Sequence, residues 1–174
     1  MKYRIIKIFV FISVFIMLAI VVFVGVQKQD SQACEPVFSL DESKAKINFL
    51  DKQTAQFASS TVELMGRSTE GGVQITFLDG NSKKIVDQRF YGETGRSHMR
   101  FYFEGNIIFS IVKLNITYEV PITVDNNVSI KSTEEKGYYL DANGRVCGVD
   151  VDGVAQPVEA DAQEMIKEYI AGIK

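Results

Sequence analysis

His98 is the only histidine in this chain of 174 residues. It alternates with Arg100 and Tyr102, and one segment earlier Arg89 alternates with Tyr91. In extended backbone, residues two apart share a face. Arg89, Tyr91, His98, Arg100 and Tyr102 are therefore expected to form one cationic, aromatic patch on a sheet. Guanidinium groups grip carboxylates and phosphates, and tyrosine adds a flat apolar ring with a polar tip. Such a face suits an anionic polymer, a peptide or another envelope protein. The competing expectation is that Asp87 and Glu93 neutralise it, or that a terminal helix packs on it.

Other catalytic chemistry is sparsely represented. A serine triad needs a marked nucleophile beside the histidine, and no Gly-x-Ser-x-Gly occurs. Glu70 and Glu93 lie in two glycine-rich turns. Brought within reach, two carboxylates can serve as acid and base of a hydrolase. The preferred role is structural, with each accepting turn amides or pairing with nearby arginines. Asp150-Val151-Asp152-Gly153, with Asp141 and Asn143 close by, has the look of a calcium loop. It lacks the later ligands, since Glu159 stands at position 10 and not 12, so a solvated acidic turn is preferred. There is no His/Cys cluster for zinc, no P-loop and no Gly-x-Gly-x-x-Gly. No metal and no cofactor are expected. Asn115-Ile-Thr117 and Asn127-Val-Ser129 match the glycosylation sequon, a match read as accidental in a bacterial-looking chain.

Cys34 and Cys147 allow one intramolecular pairing. A disulfide needs Cα atoms within about 7 Å, which sequence leaves open. Otherwise Cys147 is a small buried apolar residue and Cys34 a stalk thiol or lipid site.

The address is clearer. Residues 1–7 carry Lys2, Arg4 and Lys7, and residues 8–26 depart from strongly apolar types only at Ser13 and Gly25. As a helix, such a run spans roughly 28 Å, the thickness of a bilayer core. The basic side chains place residues 1–7 in the cytoplasm. An uncleaved signal-anchor is preferred to a signal peptide cut after Ser31-Gln32-Ala33, and both to a lipoprotein anchored at Cys34. In each case the remainder is extracytoplasmic, on the cell membrane, secreted or periplasmic. Residues 27–37 read as a tether and 38–174 as the domain. Residues 34–174 carry a net charge of −6. This excludes nucleic acid, whose backbone needs a basic footprint.

The elements that must position these groups follow from periodicity. Residues 40–57 read as a helix capped by Asp41, with Ile47, Leu50, Thr54 and Phe57 as its apolar stripe. Strands are expected at 61–67, 73–78, 84–91, 97–103, 107–118, 128–132, 137–141 and 145–149. In the long apolar strand, Ile108, Val112, Leu114 and Ile116 face one side, and Phe109 and Ile111 the other. Asn143-Gly144 signals a type I′ hairpin. Residues 157–173 read as a second helix, with Pro157 in its first turn. The fold class is α+β: an N-terminal transmembrane helix, then an antiparallel meander of seven or eight strands with a helix before and after it. Phe77-Leu-Asp-Gly-Asn, Tyr102-Phe-Glu-Gly-Asn and Tyr139-Leu-Asp-Ala-Asn-Gly form a weak repeat, read as reused hairpin chemistry.

Gly66-Arg-Ser-Thr-Glu-Gly-Gly-Val, then Lys84-Ile-Val, Phe90-Tyr-Gly-Glu-Thr-Gly-Arg and Phe101-Tyr-Phe, resemble a group of uncharacterised bacterial exported proteins and lipoproteins. Their Ser-Thr-Glu-Gly-Gly and Gly-Glu-x-Gly turns come in this order behind a helix. The likeness covers residues 40–120 or so. It implies an exported bacterial protein and brings no activity. The expected function is a non-enzymatic binding or assembly module of the envelope, held to the membrane by residues 8–26. The alternatives are a hydrolase using Glu70 and Glu93, or a secreted inhibitor released by signal cleavage.

Overall fold

Glycine, asparagine and aspartate punctuate the chain at short intervals, and these clusters separate antiparallel strands. In the computed structural model, residues 34–66, 68, 70–124 and 129–173 are described. Eight strands form one sheet: β1 (Ala58–Leu64), β2 (Gly72–Asp79), β3 (Ser82–Gly92), β4 (Gly95–Glu104), β5 (Ile107–Tyr118), β6 (Ile130–Leu140), β7 (Val146–Val151) and β8 (Val154–Gln156). Spatial order equals chain order, and every neighbouring pair is antiparallel. This is the expected meander, with helix α1 (Leu40–Gln53) before it and α2 (Ala162–Ala171) after it. The expected spanning segment, residues 8–26, lies outside the described residues. Among those described, no helix is long and apolar enough to cross a membrane.

Alternation along the strands gives the sheet two apolar faces, and one helix covers each. On the first, Leu50 of α1 packs with Ile85, Tyr102 and Phe109, flanked by Phe38, Ile47 and Phe57. Phe38 meets Phe109 edge to face, with ring centroids 5.2 Å apart. On the second, Ile166 of α2 lies on Val86, Phe101, Ile111, Tyr138 and Leu140. Burying each such side chain contributes roughly 1.5–3 kcal/mol.

Several expectations need correction. Ser39, not Asp41, caps α1: its hydroxyl accepts the Glu42 N–H while the Glu42 carboxylate accepts the Ser39 N–H at 3.0 Å. This reciprocal box leaves Asp41 inside the first turn. The strands expected at 128–132 and 137–141 belong to one strand, β6. Its first half outruns the core, so polar residues fill both faces and the alternation disappears. The second helix opens at Ala162, because Pro157 closes the short edge strand β8, which periodicity does not reveal.

Register shifts follow Phe77, Tyr102 and Tyr139, the aromatic residues of the weak repeat. At the second, Phe109 is the extra residue between Ile108 and Ser110, which pair with Phe103 and Tyr102. A bulge resets alternation. Ile108 therefore joins Ile111 under α2, while Phe109 joins Val112 under α1, the reverse of the expected grouping. At Asn143-Gly144 only Gly144 takes a positive φ, 77°. The Asp141 carboxylate accepts the Asn143 and Arg145 N–H groups and holds a wider turn. Type I′ backbone occurs instead at Asp152-Gly153, between β7 and β8, with φ of 49° and 83°.

Cys34 and Cys147 are joined in a disulfide, with Cα atoms 5.1 Å apart and a sequence separation of 113. Beside it the Val37 N–H donates to the Leu140 carbonyl at 2.8 Å. The bridge ties the entry of the domain to β7. In the chain-entropy account a loop of this length is worth about 4–5 kcal/mol. The double variant C34S/C147S should lose about that much in urea unfolding, and reductant should lower the wild type to the same midpoint.

Candidate functional site

The expected patch begins at a cross-strand arrangement on β3 and β4. Asp87 stands opposite Arg100, Arg89 opposite His98 and Ile85 opposite Tyr102. Cross-strand partners point the same way, so alternation alone brings one carboxylate among three nitrogen-rich side chains. Asp87 is fully buried. Its Oδ1 receives His98 Nε2 at 2.5 Å and Arg89 Nε at 3.3 Å. Its Oδ2 receives an Arg89 terminal nitrogen at 3.0 Å and Arg100 Nε at 3.4 Å. Burial acts to raise the Asp87 carboxyl. The hydrogen bonds from His98 and Arg89, with the charges of His98 and Arg100, outweigh it and hold the group at about 2.

Helix α1 closes one end of this network. Asp51 accepts Arg100 at 2.7 Å and the Tyr102 hydroxyl at 3.1 Å. Burial first, and then the Asp51 charge, push the Tyr102 phenol far above its ordinary range. Tyr102 is 1% exposed. It is a core residue and cannot contribute to an open patch, a correction to the expected five-residue surface. Arg100 is half-buried between two carboxylates and is likewise spent on the fold.

The other end stays open. Arg89, Tyr91 and His98 border a groove of about 300 Å³, together with Arg96, Leu114 and Ile116. Arg96 pairs across the ladder with Tyr91 and is exposed. Among the described residues no acid partners its guanidinium. Sequence reasoning missed Arg96 because it stands at the turn, although its even spacing from His98 was the available signal.

Asp87 orients His98 as the acid of a triad would, but no hydroxyl or thiol among the described residues meets the second ring nitrogen. Glu70 and Glu93 are exposed, on the β1–β2 and β3–β4 connections, with no ion pair or side-chain hydrogen bond among the described residues. Their turns are held by backbone. Gly71 carbonyl accepts the Tyr91 N–H, and the Glu93 and Thr94 carbonyls accept the N–H groups of Ile122 and Tyr118. A Cβ at Gly72 would lie 2.5 Å from the Arg89 carbonyl oxygen, and one at Gly95 would overlap that of Ile116. Close backbone approach is the physical need for glycine in both turns.

A second polar centre lies under α1, over β6 and β7, and was not foreseen. Asp150 is 5% exposed and accepts the Tyr139 hydroxyl at 2.6 Å, with Lys44 at 3.0 Å on the same oxygen. Gly137 faces the pair, where a Cβ would press on both. Asp152 accepts the Glu135 N–H at 3.1 Å. The acids of the supposed calcium loop are thus engaged separately in the fold. Cys34, Asp141 and Cys147 lie within metal-ligating reach of one another, with both sulfurs committed to the disulfide.

Comparison with protein-family models, with curated proteins and with solved structures finds no match to this chain.

The Asp87 carboxyl has an ordinary value of 3.8 and is held at about 2 in the fold. Its ionised form therefore adds stability above pH 4, roughly 2 kcal/mol, which is lost as pH falls from 4 through 2. Asp87→Asn should cost about 2 kcal/mol at pH 7, because it removes the buried carboxylate that the half-exposed Arg89 and Arg100 share. The gap between variant and wild type should narrow in urea unfolding at pH 3 and close further below it.

Proposed function

We propose that this chain is a membrane-anchored, extracytoplasmic binding or assembly module of a bacterial envelope. Its open groove, bordered by Arg89, Tyr91, Arg96 and His98, receives an anionic group of a partner protein or polymer. The observation that carries this reading is the guanidinium of Arg96 beside that groove, which no acid among the described residues partners. Every other arginine for which contacts are described has a carboxylate: Arg89 and Arg100 share Asp87, and Arg145 holds Asp141 at 2.6 Å. A cation without an acid among the described residues stands out where residues 34–174 carry a net charge of −6.

The groove offers a layered set of donors. Asp87 fixes Arg89 and His98 from below, which lowers the rotamer entropy lost on binding. Arg96 supplies the mobile charge, and the Tyr91 ring supplies a flat contact. No nucleophile is needed, and the two turn glutamates take no part. The signal-anchor reading of residues 8–26 supplies the membrane attachment.

Titration of the full chain in detergent with inorganic polyphosphate and with polyglutamate distinguishes phosphate from carboxylate partners. A charge-assisted contact is worth about 1.5–3 kcal/mol. Arg96→Ala should therefore weaken binding about tenfold or more without altering thermal stability, and added salt should weaken it further. Equal binding by wild type and Arg96→Ala would refute the assignment.

A further inference from the structure

The sheet has two ends, and they are finished differently. β8 is three residues long and is followed at once by Pro157, so it offers little ladder to a newcomer. β1 runs for seven residues, from Ala58 to Leu64, with exposed residues at every position but the last. It contains no proline, no lysine and no arginine, and its pairing with β2 shows no register shift. Short length, charged side chains, proline and bulges are the devices that blunt a sheet edge, and of these β1 has only the single charge of Glu63. Among the described residues nothing pairs with its outer side. Val62 is 43% exposed on this strand, and Met65, just beyond it, is 83% exposed.

We infer that β1 is a pairing edge at which two copies of this chain join antiparallel. The strand complements itself. About a two-fold axis at Thr61, Ala58 faces Leu64, Ser59 faces Glu63 and Ser60 faces Val62 of the second copy. Like charges directly opposite each other destabilise a ladder. The only charge on the strand, Glu63, meets a serine and not its own copy. Thr61 meets Thr61, and the two Val62 side chains lie diagonally on one face, where β-branched residues pack well across strands. The joined sheet has sixteen strands, eight from each copy. The new contact adds only one ladder and is smaller than the 800 Å² per partner of a standard interface. Association is therefore reversible and depends on concentration.

This surface lies on a different strand from the groove, so each can fail without the other. Sedimentation of the full chain in detergent over a concentration series should show a monomer–dimer equilibrium. Thr61→Lys places two ammonium groups together and should leave only monomer, with unchanged far-ultraviolet circular dichroism. Under oxidation, Thr61→Cys should form covalent dimers much faster than Lys52→Cys on α1. Paired strands place opposed Cα atoms ~4.5–5.5 Å apart, within disulfide reach. A wild type that stays monomeric to millimolar concentration would overturn the inference. So would a dimer that survives Thr61→Lys, or equal crosslinking of the two cysteine variants.

Discussion

The buried carboxylate of Asp87 is the constraint around which the first sheet face is arranged. An ionised group removed from water must be surrounded by donors. Here the sheet supplies them: Arg100 stands opposite Asp87 and His98 diagonal to it on β4, while Arg89 follows two residues on along β3 and shares its face. Once Arg100 is drawn to Asp87, its other side requires a second acceptor, and Asp51 of α1 provides it. The same acid receives Tyr102. The seat of α1 at Arg100 and the shape of the open groove thus both answer to this one carboxylate. The apolar contacts of Leu50 press α1 onto the sheet, while the Asp51 bonds fix where along the strands it rests.

Much of the architecture was legible in the sequence because the hairpins announce themselves. Gly80-Asn81 and Gly105-Asn106 each separate two alternating apolar runs, and both runs became strands in the expected pairing. Ile47 and Leu50 of the α1 stripe were also plain, whereas Thr54 and Phe57 fall beyond the end of the helix. What escaped are features with no periodic signature. The half of β6 beyond the core has polar residues on both faces, so nothing in its composition distinguishes strand from loop. The bulge at Phe109 is a backbone choice that reverses inward and outward for its neighbours, and a strictly alternating pattern cannot register it.

The site was legible in part. Residue spacing placed Arg89, Tyr91, His98, Arg100 and Tyr102 on one face. Spacing within strands says nothing about how far a helix from elsewhere in the chain extends over that face. Asp51 sits beside Leu50 at the flank of the α1 stripe, and only the folded pairing reveals that it reaches Arg100. This is why a surface expected as five exposed side chains divides into a buried polar half and an open half that gains Arg96.

The bond between Cys34 and Cys147 changes how the domain would carry a mechanical load. Without it, a pull on the chain at Cys34 would act first on α1, and then strip strands one by one from the β1 end of the sequentially ordered sheet. With the bond in place, the pull passes directly into β7, which is hydrogen-bonded on both sides by β6 and β8. The segment from α1 to β6 then lies inside a closed covalent loop, sheltered from the force. A load running between Cys34 and the C-terminal end of the chain would thus leave the order of β1 to β6 intact.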